Sequence, residues 1–356
     1  MKPKKPKFFK FIEDKWVILI VILIAAFDYF SVVVAVGVGL VNHKRSGGIG
    51  LGIALITIFN LLFILFCLSY TAIVVIDPGY ITQSYIPRFI PSSQSNEFQR
   101  QKSNESVANE KLNDFPQTHR LQDSKFEPTF CHECNIWRPP RAHHCRRSNK
   151  CVIDFDHYCP WIGQSVGGNN HKHFITFLFY CTLILAFTTI SLGASYNATT
   201  STETGNGLWS NKGKGPIIAA IAISAFFTIF VGALFGNHIW LSCDNLTTFD
   251  HIFEIRTTRA RDQSILSQHY KPFQLKERNK CRQHWYYKWG NPRTTGNLWW
   301  LDSKYRNLKY RMGSYPVYWF IPFAKPNRDR FVMEYNPRFD ENGRARPRSQ
   351  WPPHLQ

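Results

Sequence analysis

The stretch that decides the fold runs from Cys131 to Phe174 and reads CHECNIWRPPRAHHCRRSNKCVIDFDHYCPWIGQSVGGNNHKHF. Five of the nine cysteines of the chain lie in it. Cys131 and Cys134 form a CxxC turn, which presents two thiolates to one metal ion. A second pair of ligands is available further along, from His143, His144, Cys145 and Cys151. This spacing predicts a zinc site of three cysteines and one histidine, and it argues against unrelated buried thiols or a secreted disulfide framework.

A fifth cysteine, Cys159, is left over by that site and closely follows Asp156 and His157. A cysteine nucleophile reacts as the thiolate, and a neighbouring histidine can accept its proton. The histidine in turn needs an acidic group that fixes its tautomer and stabilises its cation. Such short strings are common by chance, but this one lies beside a metal module and just before an apolar segment. We therefore predict that Cys159 is the nucleophile, His157 the base and Asp156 the carboxylate that orients the base.

Four apolar segments around this stretch are long enough to cross a bilayer, which takes about 20 residues per helix. They are residues 17–41, 49–76, 174–195 and 216–241. The sequence therefore predicts an all-α membrane protein with four transmembrane helices and a small cytosolic zinc-binding, cysteine-rich domain between helices 2 and 3. Asp28 is an outlier in the first segment, because an ionisable residue in a span is costly. We favour a hydrogen bond inside the bundle over a direct functional role for it.

The distribution of Lys and Arg gives the expected orientation. These 43 residues concentrate in the N-terminal tail, the central loop and the C-terminal region, so both termini and that loop are expected to be cytosolic. The net charge of +19 would then face an anionic leaflet. The predicted organisation is a cytosolic tail (1–16), helices 1 and 2 (17–76), a cytosolic linker (77–125), the cysteine-rich domain (126–174), helices 3 and 4 (174–241) with a lumenal loop (196–215), and a cytosolic C-terminal region (242–356).

The stretch from Cys131 to Phe174 resembles the cysteine-rich domain of the DHHC protein S-acyltransferases (palmitoyltransferases). Three further motifs support the resemblance. They are Asp77-Pro78-Gly79, similar to the family's DPG; Thr247-Thr248-x-Asp250, similar to its TTxE with Asp for Glu; and Asn291-Pro292 with Gly296, Asn307 and Gly313, similar to a C-terminal motif that packs an Asn against the core. Because Tyr158 makes the signature DHYC, the sequence is most similar to a fungal subset of the family. Some members of that subset carry ankyrin repeats before the spans, and this sequence has none there.

The resemblance implies two zinc sites, each of three cysteines and one histidine, and this sequence keeps one of them. The first maps onto Cys131, Cys134, His144 and Cys151. The second maps onto Cys145, Ser148, Tyr158 and Ser165. Three of its four ligands are thus replaced by hydroxyl side chains, which bind zinc poorly. We expect one zinc ion, with the replacements hydrogen-bonded to one another. A less favoured alternative is an unorthodox second site that uses His132, His171 and His173.

The resemblance further implies an enzyme, a protein-cysteine S-palmitoyltransferase. His157 would deprotonate Cys159, whose thiolate would take a long-chain acyl group, palmitoyl in the family, from acyl-CoA. A substrate cysteine would then remove this group from the acyl-enzyme thioester. Arg138 and Arg141 are expected to contact the CoA phosphates, and Trp161 is expected to lie where the acyl chain enters the bundle. An equally weighted alternative places the two arginines against lipid headgroups or acidic loops.

The expected partners are membrane lipids, acyl-CoA and cytosolic or membrane-associated proteins with cysteines near the bilayer. The expected location is the plasma membrane or an endomembrane. Two other functions remain open. A catalytically degenerate membrane scaffold would use its zinc module only to bind partners, as the lost ligands suggest. A membrane-tethered nucleic-acid binder would account for the positive charge, but the basic residues do not form one recognition element, so no nucleic-acid partner is expected.

Overall fold

We describe a computed structural model of the chain, which defines residues 7–38, 41, 48–82, 129–200, 214–252, 256–326, 334–340, 343 and 345–356. Most of the predicted linker (77–125), of the loop 42–48 and of the predicted lumenal loop (196–215) therefore lies outside the described residues, as does part of the N-terminal tail.

Among the described residues, four helices are long and apolar enough to cross a membrane. They are α1 (Lys7–Tyr29), which continues as a π-helix over Phe30–Val38, and α2 (Gly48–Val75), α3 (His171–Thr200) and α4 (Lys214–Cys243). Their candidate spans are Trp16–Val34, Ile49–Val75, His171–Tyr196 and Gly215–Cys243. The four predicted membrane helices are therefore confirmed.

Helix α3 is the central helix of this bundle, and it packs against both α2 and α4. In its most apolar window 56% of the residues are buried, against 17–22% in the other three helices. The polar outlier of α1 also faces inward. Asp28 is 4% exposed and accepts a hydrogen bond of 3.2 Å from Ser224 Oγ of α4. This contact is the intrabundle hydrogen bond that the sequence analysis favoured.

Three short antiparallel hairpins connect α2 to α3, and the sequence analysis did not predict them. They pair β1 (Thr129–Cys131) with β2 (Ile136–Arg138), β3 (His143–Cys145) with β4 (Lys150–Val152), and β5 (His157–Cys159) with β6 (Gln164–Val166). Each turn contains a residue with positive φ, namely Asn135, Asn149 and Gly163. Glycine adopts this left-handed region without strain and asparagine tolerates it. The predicted fold class is confirmed, and the cysteine-rich domain within it is built from hairpins.

Two polar contacts attach the hairpins to the end of α2. Asp77 Oδ1 accepts hydrogen bonds from the backbone N–H groups of Gly79 (2.7 Å) and Tyr80 (3.0 Å). The turn lets the Gly79 carbonyl accept from the N–H of Ile153, next to β4, at 2.9 Å. Gln164 Nε2 donates to three carbonyls at the end of α2, which have no partner within the helix. The cysteine-rich domain is thus fixed against the membrane helices.

The C-terminal region folds over the end of α4. It contains a helical turn at Thr248–Asp250, helices α5 (Arg256–His269), α6 (Leu275–Trp289) and α7 (Lys304–Met312), and 3₁₀ turns at Pro316–Phe320, Arg348–Gln350 and Pro353–Leu355. Buried asparagines fasten it. Asn297 Nδ2 donates to the Asp244 carbonyl (2.9 Å), and Asn307 Nδ2 donates to the Cys243 carbonyl (2.7 Å). These amides satisfy carbonyls that the end of a helix leaves unpaired.

Candidate active site and metal centre

Four predicted metal ligands converge in the first two hairpins. His144 Nδ1 lies 3.6 Å, 3.2 Å and 3.9 Å from the Sγ atoms of Cys131, Cys134 and Cys151. All four ligand atoms lie within 4.8 Å of one another. The β1–β2 hairpin supplies the first two cysteines, Cys131 at the end of β1 and Cys134 in the turn, and the β3–β4 register places His144 opposite Cys151. Three sulfurs and one imidazole nitrogen form a donor set that suits a tetrahedral metal ion.

The positions of the replaced second site also come together, but as a polar cluster. Tyr158 lies opposite Ser165 in the β5–β6 hairpin. Burial raises the pKa of Cys145, but interactions with Ser148, Ser165 and nearby backbone amides lower it overall. Within the described part of the chain, neither serine hydroxyl has a partner that meets strict hydrogen-bond geometry. The cluster is therefore a loose arrangement of hydroxyls around one thiol.

The structure argues against the unorthodox alternative for a second metal site. His173 Nδ1 lies 2.6 Å from the Pro322 carbonyl, and His171 lies beside Asp156. His132 instead packs against an aromatic ring of β1. Among the described residues, no group of three metal-ligating side chains forms around the remaining cysteine of that site. The three histidines thus each have a different neighbour.

The predicted catalytic residues lie next to one another at the third hairpin. Asp156 and Cys159 are 2% and 5% exposed. His157 Nδ1 lies 2.6 Å from Asp156 Oδ2. Burial lowers the pKa of His157, but hydrogen bonds to Asp156 and Cys159 and the negative charges on both raise it overall to about 10. The Asp156 carboxylate therefore favours the imidazolium form of His157 over the neutral imidazole.

Asp156 is held through both carboxylate oxygens. Its Oδ1 accepts a hydrogen bond of 2.8 Å from the backbone N–H of Thr248, in the helical turn that follows α4. Burial raises the pKa of Asp156, but the hydrogen bond to His157 and the nearby histidine charges hold it well below its usual range. The sequence analysis missed this contact. The Thr247-Thr248 motif marks the residue that makes this contact, but the sequence does not indicate which side chain the motif contacts.

Two buried histidines complete the surroundings of the pair. His238 of α4 and His171 of α3 are 1% and 3% exposed. Their rings lie 5.8 Å apart, and that of His238 lies 5.6 Å from the ring of His157. Ligand atoms of Asp156, His157 and His238 also lie within 4.8 Å of one another. Because both oxygens of Asp156 are already engaged, this arrangement fits a charge pair better than a metal site.

The structure argues against the expected phosphate contact of Arg141. Its guanidinium is buried, with Nη2 2.6 Å from Asp250 Oδ2 and Nε 3.3 Å from Asp154 Oδ1. A CoA phosphate would have to displace two buried carboxylates, so the alternative of an acidic environment describes Arg141 correctly. Arg138 is half-buried, and its Nε lies 3.5 Å from the Thr129 carbonyl. Arg138 is therefore the more accessible of the two.

An apolar cavity opens beside Cys159, the predicted nucleophile. Cys159 and Trp161 line one part of it, and side chains of all four membrane helices line the rest. Tyr70 donates a hydrogen bond of 2.9 Å to the Trp161 carbonyl, which fixes this loop against α2. On α3 the lining reaches from Phe174 to Leu185, a distance of about 16 Å along the helix. The cavity therefore begins at Cys159 and extends along α3 between mostly apolar side chains.

Comparison with known proteins agrees with these features. Residues 124–255 match the family model described as DHHC palmitoyltransferase. The chain contains a DHHC palmitoyltransferase domain. This DHHC domain runs from just before β1 to just beyond the Thr248–Asp250 turn. It therefore includes the candidate metal ligands, the predicted catalytic residues, α3 and α4.

Curated relatives extend the likeness beyond the DHHC domain. A probable protein S-acyltransferase 13 of Arabidopsis thaliana is 29% identical over 238 residues, which cover 65% of this chain and 72% of the relative. Palmitoyltransferase PFA3 of Candida albicans is 32% identical over 54% of this chain and 52% of its own length. Palmitoyltransferase PFA5 of Kluyveromyces lactis is 27% identical over 79% and 73%. The alignments thus span from about half to about three quarters of these relatives. Family and relatives together indicate a protein S-acyltransferase.

Proposed function

We propose that this protein transfers a long-chain acyl group, palmitoyl above all, from acyl-CoA to cysteines of other proteins through a thioester on Cys159. The observation that carries the proposal is the position of Cys159. It lies in the same strand as His157, whose Nδ1 is 2.6 Å from Asp156 Oδ2, and it lines an apolar cavity between the membrane helices. Acyl-CoA could therefore be bound with its water-soluble CoA head group on one side of this thiol and its long apolar acyl chain on the other.

The proposed reaction has two thioester exchanges. In the first, the Cys159 thiolate attacks the acyl carbonyl carbon, the bond from that carbon to the CoA sulfur breaks, and CoA leaves with a proton from His157. In the second, a substrate thiol gives its proton to His157 and attacks the acyl-enzyme, which releases Cys159 as a thiolate. Each step replaces one thioester by another, so the main task of the site is positioning, which can contribute several kcal/mol.

The apolar cavity is the proposed acyl site. Burial of apolar groups contributes about 0.8 kcal/mol per CH₂, so a sixteen-carbon chain would gain on the order of 10 kcal/mol at most. Trp161 stands at the entrance, and its ring packs edge-on against Phe227 of α4 at 6.0 Å. We propose that the CoA head stays outside this entrance. Arg138 is the remaining proposed phosphate contact there.

We further propose one zinc ion per chain, held by Cys131, Cys134, His144 and Cys151. When bound, zinc would supply structural cross-linking of the first two hairpins, because four protein ligands leave no open position for a substrate. The three hydroxyl replacements at the other site support a count of one. The ion would thus hold the hairpins that carry the catalytic residues.

The proposed setting is a membrane with both chain termini and the DHHC domain on the cytosolic side. The concentration of Lys and Arg in those segments supports this orientation. Its proposed partners are membrane lipids, acyl-CoA and proteins that present a cysteine near the bilayer, at the plasma membrane or an endomembrane.

The test is acylation of the purified full-length protein by radiolabelled palmitoyl-CoA. We expect a label that neutral hydroxylamine releases and that Cys159→Ser abolishes. Cys281→Ser is the matched control, because that thiol is also buried but belongs to α6. An intact wild-type protein that never takes up label, or a label that persists in Cys159→Ser, would contradict the proposal.

A second candidate is the membrane scaffold without catalysis, which the hydroxyl cluster around Cys145 favours. It predicts that cells carrying Cys159→Ser behave like wild type, whereas acyl transfer predicts that they behave like a deletion.

A further inference from the structure

The segment of residues 315–323, here called the aromatic segment, reads YPVYWFIPF and contains no charged residue. It follows α7 and includes the 3₁₀ turn Pro316–Phe320. Six of its large side chains are between 44% and 67% exposed: Tyr315, Val317, Tyr318, Phe320, Ile321 and Phe323. Scattered exposed apolar residues are normal in soluble proteins, but a contiguous run of this size marks an interaction surface.

The backbone of the aromatic segment is attached to α3 through side chains of that membrane helix. Thr176 Oγ1 donates to the Trp319 carbonyl at 2.7 Å, and the Tyr180 hydroxyl donates to the Phe320 carbonyl at 2.8 Å. Lys172 donates to the next carbonyl, and His173 Nδ1 lies 2.6 Å from the one after it. Four consecutive carbonyls, from Trp319 to Pro322, are therefore paired with a single helix.

These contacts place the aromatic segment alongside the candidate membrane span of α3 rather than beyond its end. Lys172 and Tyr180 are eight residues apart on α3, about 12 Å along the helix axis, and Thr176 lies midway between them, so the carbonyls are paired along the first two turns of the helix. All three lie within the span His171–Tyr196. At the lower end, the Phe320 ring packs against the Phe179 ring of α3 at 5.2 Å, and Phe179 in turn contacts an aromatic ring of α4.

Non-helical backbone at membrane depth is tolerated only where its polar groups are paired within the protein. The four paired carbonyls meet this requirement, and the Trp319 indole N–H is also satisfied, by the Gly313 carbonyl at 2.7 Å. The polar side of the aromatic segment is turned to α3, and the apolar side is turned away from the protein. An aromatic surface of this kind suits the boundary between headgroups and acyl chains.

We propose that the aromatic segment is inserted into the lipid bilayer, in the leaflet on the side of the cysteine-rich domain, where it anchors the C-terminal region. Its partner is the lipid and not a second protein, because the surface continues the lipid-facing side of α3 and α4 and carries no charge. This inference depends on the membrane helices and not on acyl transfer.

The test uses the photoreactive residue p-benzoylphenylalanine in the full-length protein, reconstituted in phosphatidylcholine vesicles. It is placed at Tyr318, which is 49% exposed, or at one of two control positions. Phe226, on the lipid-facing side of α4, is 65% exposed, and Tyr287, on α6 of the C-terminal region, is 64% exposed. Because the exposed fractions at positions 318, 226 and 287 are comparable, the three positions differ mainly in what surrounds the ring. Each variant must first show an unchanged thermal unfolding midpoint.

We expect position 318 to form lipid adducts with a yield within about threefold of that at position 226, and at least about tenfold above that at position 287, as measured by mass spectrometry. Val317 is the second position, for use if the protein does not fold with the change at Tyr318. A yield at both segment positions that equals the yield at position 287 would overturn the proposal. So would cross-links to a second copy of the chain in place of lipid.

Discussion

Asp156→Asn is the change that tests the proposed ion pair most directly. The substitution keeps the size of the side chain but removes the charge that lies 2.6 Å from His157 Nδ1. The raised pKa of His157 depends on that charge and on Cys159. Without the carboxylate, we expect the pKa to fall from about 10 toward its ordinary value of 6.5. An imidazolium that persists up to about pH 10 in the wild type would then be lost well below that pH.

The size of the effect follows from the two pKa values. At pH 7 the wild-type imidazole is almost fully charged, whereas one with a pKa of 6.5 is charged in about a quarter of molecules. Loss of charge alone therefore slows acyl-enzyme formation about fourfold at pH 7 and about three-hundredfold at pH 9. Loss of a charge-assisted hydrogen bond and of its orienting effect adds a roughly ten- to hundredfold factor that does not depend on pH.

The assay is the initial rate of thioester formation with saturating palmitoyl-CoA at pH 7, 8 and 9, corrected for hydrolysis of the thioester. Glu277→Gln, an exposed carboxylate in the first turn of α6, is the control and should match the wild type throughout. We expect the ratio of wild-type to Asp156→Asn rates to rise by roughly two orders of magnitude across this range. A ratio that stays constant with pH would refute the reasoning, because it would mean that Asp156 does not hold the charge on His157.

Three further changes test the rest of the site. Cys134→Ser should reduce the zinc content from about one ion per chain to none in elemental analysis, and two ions in the wild type would contradict the single site. Asp250→Asn leaves the buried Arg141 with one carboxylate fewer and should lower the free energy of unfolding by about 3–5 kcal/mol in denaturant titrations. Gly79→Ala should lower the free energy of unfolding by at least about 1–2 kcal/mol in the same titration, because φ of Gly79 is 97° and the added Cβ would lie 2.6 Å from a side-chain carbon of Ile153. An unchanged unfolding midpoint in Asp250→Asn or in Gly79→Ala would contradict the packing described.

Features carried by neighbouring residues could be predicted from the sequence. The four membrane helices follow from apolar runs, since a span needs little beyond length and hydrophobicity. The metal ligands follow from the CxxC turn and a second pair at a typical distance. The contact between Asp156 and His157 also joins adjacent residues. In each of these cases the chain itself holds the partners close, so spacing alone is informative.

Features that join distant segments could not be predicted in this way. The Thr248 amide reaches Asp156 across 92 positions of the chain, and Arg141 meets Asp250 across 109. A motif can mark such residues, but it does not say which side chain they meet. The structure argues against the phosphate prediction for Arg141 for this reason: an arginine suited to a phosphate is equally suited to two carboxylates, and burial favours the carboxylates.

The sequence by itself thus determined a DHYC signature in which Cys159 follows an acidic residue and a histidine, four apolar spans, and one complete set of metal ligands. Only the tertiary structure decided the environment of that cysteine. It brought α3, α4 and the Thr248–Asp250 turn against the third hairpin, which removes water from Asp156 and fixes both of its oxygens. The charge on His157 is opposed by burial and depends on the Asp156 carboxylate, and the segments that hold this carboxylate are brought together by packing rather than by spacing along the chain.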